Sequence, residues 1–161
     1  MEDIKMVYDK LDELGISVET VDHPPALTTE QADEFIVGVP GVRTKTMFLT
    51  NRKKKNFYLV IMDDTKRLDM DNFKEIVGEK VKMASADSLM QKMKLAPGVV
   101  SLFGLLNNED KDIKVYFDKA IMGEERMSFH PNTNEKTVFI NTDDMLKFMD
   151  AIGYEANIVE L

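Results

Sequence analysis

Apolar positions switch between two spacings along this chain, and the switches mark its elements. Residues 3–14 place Ile4, Val7, Leu11 and Leu14 three and four positions apart, which predicts an amphipathic helix. Gly15 follows as its C-terminal cap. Residues 16–21 alternate apolar and polar side chains as a half-buried strand does. His23-Pro24-Pro25 ends that strand, because consecutive prolines fix φ and remove backbone donors. Thr28 and Gln31 then form a capping box that opens a short helix to about Phe35. A loop over residues 38–41 leads to two strand-like runs, 44–50 and 56–62, joined as a candidate hairpin by a basic turn. Residues 70–77 predict a helix stopped at Gly78, and a second short helix starts near Ser85. Residues 97–104 read as a loop or bent strand. Strands are expected at 112–118, 126–129, 136–141 and 156–159, with a last helix over 143–152 capped by Thr142.

Strands joined by short turns and interspersed with helices do not make a regular strand–helix–strand alternation. The expected fold is therefore α/β with a mixed, mainly antiparallel, curled sheet flanked by helices. No repeat or composition shift marks a linker, so one domain over residues 1–161 is expected.

Composition narrows the chemistry. Hydrophobic residues are 43% and charged residues 31%, ordinary values for a globular chain. The first residues begin an amphipathic pattern and lack an apolar signal core, and no apolar run approaches the roughly 20 residues of a membrane span. Cysteine is absent, which removes disulfides, thiol catalysis and cysteine-based zinc sites. These features favour a cytoplasmic protein without membrane contact. A net charge of −8 argues against broad nonspecific nucleic-acid binding, which needs Lys and Arg to displace counterions. It leaves room for a local contact. Arg52, Lys53, Lys54 and Lys55 are either a solvated hairpin tip that guards strand edges or a phosphate contact for an RNA end.

Three segments carry polar or backbone hydrogen-bonding groups at the edge of an apolar run. They are Arg43-Thr44-Lys45-Thr46-Met47-Phe48-Leu49, the stretch from Pro97 through Gly98, Val99, Val100, Ser101, Leu102 and Phe103 to Gly104 and Leu105, and His130-Pro131-Asn132-Thr133-Asn134. None pairs a strong nucleophile with a base. No Gly-x-Ser-x-Gly elbow, Walker loop, dinucleotide fingerprint or His-Glu-x-x-His spacing occurs. Only two histidines exist, and a catalytic zinc usually takes three protein ligands, so neither a metal nor a cofactor is expected. Lys45 shares a strand side with Met47 and Leu49 and is expected at the mouth of the core, either snorkelling to water or serving a pocket. The glycine-containing segment is either an ordinary Pro-Gly turn or a place where backbone N–H groups approach a ligand. His130 and its neighbours are either a turn or part of a site.

Together with Asp22-His23-Pro24-Pro25, these segments resemble the YbaK/ProX family of free-standing aminoacyl-tRNA deacylases, above all its prolyl-tRNA editing proteins. The resemblance spans the whole chain and implies the family's barrel-like mixed-sheet fold. It implies a hydrolase that acts on mischarged tRNA, with alanyl-tRNA(Pro) as substrate. Its partner would be a tRNA 3′ acceptor end, and prolyl-tRNA synthetase is admitted as a second. By the same resemblance Lys45, Gly98, Ser101 and His130 carry catalysis. His23, Thr46, Val99, Val100, Phe103, Gly104 and Asn134 then bind substrate. Thr46 stands where the family usually has asparagine, and Leu102 where it often has proline. Two rivals follow from those departures: a deacylase for serine, threonine or cysteine esters, and a non-catalytic binder of aminoacyl-tRNA or of a synthetase.

Overall fold

A computed structural model describes residues 2–161. Among the described residues, eight strands form a mixed sheet in the order β1-β7-β6-β2-β3-β5-β8, with β4 beside β2. The strands are β1 (Glu19–Asp22), β2 (Val42–Asn51), β3 (Phe57–Asp63), β4 (Val81–Met83), β5 (Ile113–Asp118), β6 (Arg126–Phe129), β7 (Lys136–Asn141) and β8 (Ala156–Val159). Around them lie α1 (Glu2–Glu13), α2 (Thr29–Phe35), α3 (Met70–Val77), α4 (Ala86–Met93), α5 (Lys119–Met122) and α6 (Thr142–Ala151). Antiparallel pairs (β1/β7, β2/β3, β2/β4, β6/β7) outnumber parallel ones (β2/β6, β3/β5, β5/β8).

Local signals explain most boundaries. The Thr28 hydroxyl accepts from the Gln31 N–H at 3.1 Å, and the Gln31 side chain accepts from the Leu27 N–H, one residue before the usual capping-box partner. Ser85 caps α4 and Asp69 caps α3, while Gly78 ends α3 in the left-handed conformation at φ +80°. Three expectations need correction. The first strand begins at Glu19, because the Ile16 N–H is still satisfied by the Leu11 carbonyl of α1. The N-cap of α6 is Asn141; Thr142 sits inside the helix, its hydroxyl donating to the Glu124 carbonyl at 2.6 Å. The 97–104 segment is neither a loop nor a strand but two 3-10 turns, Pro97–Val99 and Leu102–Asn107. β4 and α5, at three and four residues, are too short for periodicity to show.

β3 is buried on both faces and separates two cores. Its Phe57, Leu59 and Ile61 join the larger cluster with α1, α4 and α6, while Tyr58, Val60 and Met62 face a smaller one. Phe73 of α3 anchors the smaller core, meeting Tyr58 and Tyr116 edge-on at 5.8 and 5.4 Å. Alternation assigns Thr46, Phe48 and Thr50 of β2 to the large-core face, and Lys45, Met47 and Leu49 to the other. Lys45 thus shares its side with Met47 and Leu49, but that side belongs to the smaller core.

One edge of β2 is paired with β3 from Thr44 to Thr50. The opposite edge is forked. It pairs with β6 only at Val42 and Arg43, and with β4 only at Leu49, Thr50 and Asn51. Between them the edge of β2 has no strand beside it, and that gap positions the site.

Candidate active site

A cavity of about 260 Å³ opens at the fork. Thr44, Lys45, Thr46 and Phe48 form its floor. Ala32, Asp33 and Ile36 from α2 and Asp64 after β3 form one wall. Met83, Ala84, Ser85 and Leu89 form another; Pro97, Gly98, Val100, Ser128, Phe129, His130 and Thr137 complete it. The strand supplies more than side chains. The Thr44 N–H points across the open edge to Ser128 Oγ at 3.3 Å, and the Phe48 carbonyl accepts from the Ala84 N–H at 3.0 Å. With a two-residue period, the N–H and carbonyl of Thr46 face the same way, into the gap. A backbone donor and acceptor are presented there whatever side chain occupies position 46.

Ser101 holds the fork open. Extending the parallel register of Val42 with Met127 and Arg43 with Ser128 would set His130 beside Lys45. The ladder stops first, because the Ser101 hydroxyl donates to the His130 carbonyl and also accepts from the Phe103 N–H at 3.2 Å. Ser101 is 1% exposed and lies behind the cavity wall. Its hydroxyl has two backbone partners, which makes it a strut for His130 and the glycine segment.

The His130 ring lines the cavity, with Nδ1 3.4 Å from the Lys136 carbonyl. A carbonyl only accepts, so Nδ1 carries the proton and Nε2 keeps a lone pair. Burial pushes the imidazole below its ordinary range, aided by nearby His23 and opposed by the Lys136 carbonyl and by Asp33. At neutral pH it is uncharged. His23 lies one layer back, its Nδ1 donating to the Pro24 carbonyl at 2.8 Å, so that Nε2 accepts from Thr137 Oγ1 at 3.0 Å. The ring stacks on Phe35 at 5.2 Å. Asn134 closes the same corner by donating to the Ala26 carbonyl at 3.2 Å, while its own carbonyl accepts from the Ala26 N–H. The early proline turn and the His130 segment are therefore zipped together.

Of the residues singled out from sequence, Lys45, Thr46, Gly98, Val100 and His130 surround the cavity. Val99, Ser101, Phe103, Gly104, His23 and Asn134 do not line it. Phe103 is fully buried against Phe129 and Phe148. Gly104 exists for packing, since a Cβ there would lie 2.5 Å from Leu95 Cδ1 and 2.7 Å from Met93 Cε. Gly98 differs, because a Cβ there would meet nothing within 4 Å. Arg52, Lys53, Lys54 and Lys55 are exposed at the β2–β3 turn, about 20 Å along the strand from Thr46 at roughly 3.3 Å per residue. Lys45 Nζ has no hydrogen-bond or ion-pair partner among the described residues. No group of three or more His, Asp or Glu side chains is gathered among them as a metal ion would need.

Sequence reading missed the carboxylates. Asp33 and Asp64 face each other across the cavity wall, and burial together with Asp33 pushes the Asp64 carboxyl up to about 8. Asp63 adds to that shift, and Arg43 opposes it. Arg43 is committed elsewhere, donating to the carbonyls of Gly41 at 2.7 Å and Ile36 at 2.8 Å with its guanidinium over Phe139. Asp64 sits in an ordinary-looking Asp-Asp turn and Asp33 on a short polar helix. Nothing local separates them from solvated carboxylates.

The sequence model of the aminoacyl-tRNA editing domain matches residues 23–148, a span that includes every wall of the cavity. The chain belongs to the aminoacyl-tRNA editing domain family. It is 34% identical over 156 residues to the prolyl-tRNA editing protein ProX of Acetoanaerobium sticklandii, covering 96% of this chain and 95% of that one. It is 29% identical to the prolyl-tRNA synthetase associated domain-containing protein 1 of Mus musculus, over 93% and 91% of the two chains. Among solved structures, a candidate trans-editing enzyme for prolyl-tRNA synthetase superposes with a TM-score of 0.80 at 18% identity, covering 100% of this chain and 97% of that one. That likeness shows the shared mixed-sheet fold. Family membership and fold thus agree with what the three sequence segments implied.

Proposed function

We propose that this protein is a trans-editing deacylase that hydrolyses the ester between a mischarged amino acid and the 3′-terminal ribose of tRNA, with alanyl-tRNA(Pro) as its substrate. The observation that carries this reading is a small cavity where an unpaired lysine, an unpaired strand edge and a neutral histidine meet. An aminoacyl ester is already activated, so orienting a water and stabilising the developing oxyanion suffice. Lys45 anchors the terminal phosphate or polarises the ester carbonyl. The backbone around Gly98 and Thr46 supplies uncharged donors, and His130 Nε2 accepts a proton from a water or the ribose 2′-hydroxyl. Ser101 and His23 position His130 and Thr137 from behind. The basic turn at residues 52–55 touches the RNA backbone.

At about 260 Å³ the cavity falls below the roughly 300–1,000 Å³ of common small-molecule sites, which suits a small aminoacyl group. Such a site is needed because a proline pocket rejects a smaller side chain by only about 1–3 kcal/mol per methylene. The relative named as a prolyl-tRNA editing protein supports tRNA(Pro) as the carrier, and the small cavity favours a small residue such as alanine on it.

The test is release of labelled amino acid from alanyl-tRNA(Pro), with prolyl-tRNA(Pro) as control and Lys45→Ala as the variant. Rapid alanine release that falls at least 100-fold in the variant, with the proline ester spared, is the expected result. No release moves the assay to serine, threonine and cysteine esters. If those also survive, the protein is a binder.

A further inference from the structure

We propose that Asp33 and Asp64 together form the receptor for the substrate's α-ammonium group, so that the site accepts only aminoacyl esters with a free amine and rejects N-acylated and peptidyl esters. This rests on the deacylase reading above and adds a specificity it does not contain. Both carboxylates line the same cavity as Lys45 and His130, yet they come from separate elements, α2 and the turn after β3. The Asp64 N–H is fixed by the Arg43 carbonyl at 2.9 Å, so its side chain starts from a rigid strand end. Two carboxylates in contact repel unless something positive lies between them. Arg43, the nearest guanidinium, is held by two carbonyls and the Phe139 ring, and Lys45 Nζ is not within ion-pair distance of either.

Burial, Asp33 and Asp63 push the Asp64 carboxyl up to about 8, with Arg43 opposing, so at neutral pH a proton takes that place between the pair. His130 lies close enough to feel Asp33, but burial keeps it uncharged near neutral pH. The pair therefore carries about one negative charge at neutral pH. An ammonium entering between the carboxylates takes over the proton's role and makes two charge-assisted hydrogen bonds. Binding of a free-amine ester then releases a proton. An N-acyl group offers no positive charge and forces the pair to stay protonated. Because the two groups come from different elements, the ammonium also fixes α2 against the sheet.

The experiment uses adenosine carrying alanine through a 3′-amide, which cannot be hydrolysed, and its N-acetyl counterpart. Binding of each to the full chain is measured by calorimetry near pH 7 in buffers of different ionisation enthalpy. The expected result is that the free-amine compound binds the wild type at least tenfold tighter than the acetylated one, with proton release. In Asp64→Asn that preference and the proton release both disappear, and affinity for the acetylated compound stays within about twofold. Asp33→Asn, a change on a half-exposed helix position, is the second variant and is expected to behave alike. If the wild type hydrolyses alanyl-tRNA(Pro) but binds both compounds equally, the ammonium receptor is refuted and the deacylase reading stands. Neither binding nor hydrolysis overturns both.

Discussion

Two glycines six residues apart should respond to the same substitution in opposite ways. Alanine at 104 would place its Cβ 2.5 Å from Leu95 Cδ1 and 2.7 Å from Met93 Cε, about 1 Å inside normal carbon–carbon contact. Those atoms are side-chain tips, but Leu95 is 2% and Met93 0% exposed, so neither can swing into solvent. Overpacking of this kind costs about 1–3 kcal/mol. Each kcal/mol moves Tm by about 2–4 °C in a domain of this size, so Gly104→Ala should melt about 2–12 °C lower. Gly98→Ala meets no atom within 4 Å and needs no positive φ, so its Tm should stay within about 1 °C of wild type. Its deacylation of alanyl-tRNA(Pro) should nonetheless fall at least tenfold, because the methyl group enters the space the ester must occupy. Circular-dichroism melts and initial rates well below Tm separate the two effects. A Leu95→Ala background should remove most of the cost of Gly104→Ala, since the vacated volume accepts the new methyl group. The reasoning is refuted if Gly104→Ala melts like wild type, or if Gly98→Ala loses stability but not activity.

Ser101→Ala removes one hydroxyl that serves two backbone groups and should cost about 1–3 kcal/mol. Its kcat should fall while KM changes little, because His130 loses its strut; chemical denaturation and steady-state rates measure the two. His130 is held below its ordinary range, so the unfolded chain takes up that proton first as pH falls through about 6.5. The stability this contributes is present above that pH and lost below it, and Tm should drop more between pH 7 and 5 in wild type than in His130→Gln. Reversing Arg52, Lys53, Lys54 and Lys55 to glutamate should raise KM for full-length alanyl-tRNA and flatten its salt dependence. Hydrolysis of an aminoacylated minimal acceptor fragment that ends short of the turn should be unchanged, and a matching loss there would place the turn's effect on folding.

Most elements were legible because each carries its own punctuation. Thr28 with Gln31, Ser85, and Gly78 mark helix ends through bonds made within four residues. The continuous apolar run of β3 reads as a strand buried on both faces. Element lengths of three or four residues defeat that kind of reading, which is why β4 and α5 escaped it. In the site, the three segments that resemble the family do converge, but only about half of their named residues reach the cavity. A 3-10 helix turns successive side chains by about 120°, so within one short segment Phe103 and Gly104 are committed to the core while Gly98 and Val100 face the cavity. Family resemblance identifies such a segment without saying which way each residue points.

The fork in β2 explains why so little dedicated chemistry is present. A strand edge left unpaired over residues 45–47 is ordinarily a liability, and here it lies at the bottom of a cavity too small to admit another chain. On the proposed reading, the N–H and carbonyl of Thr46 serve as substrate contacts at no cost in side chains. That removes much of the force of threonine replacing the usual asparagine, because the backbone contribution survives the exchange. What must be built is the gap itself. Ser101 drawing the end of β6 toward the glycine segment, and the short β4 arriving only at Leu49, keep the edge open from both sides. The asymmetry of charge then sets direction across it. In the proposed mode, unpaired Lys45 takes the phosphate or carbonyl end of an ester and the Asp33–Asp64 pair in the same cavity takes its amine. On the proposed reading, a substrate bearing both groups would enter in one orientation, with its scissile carbonyl between the strand edge and His130.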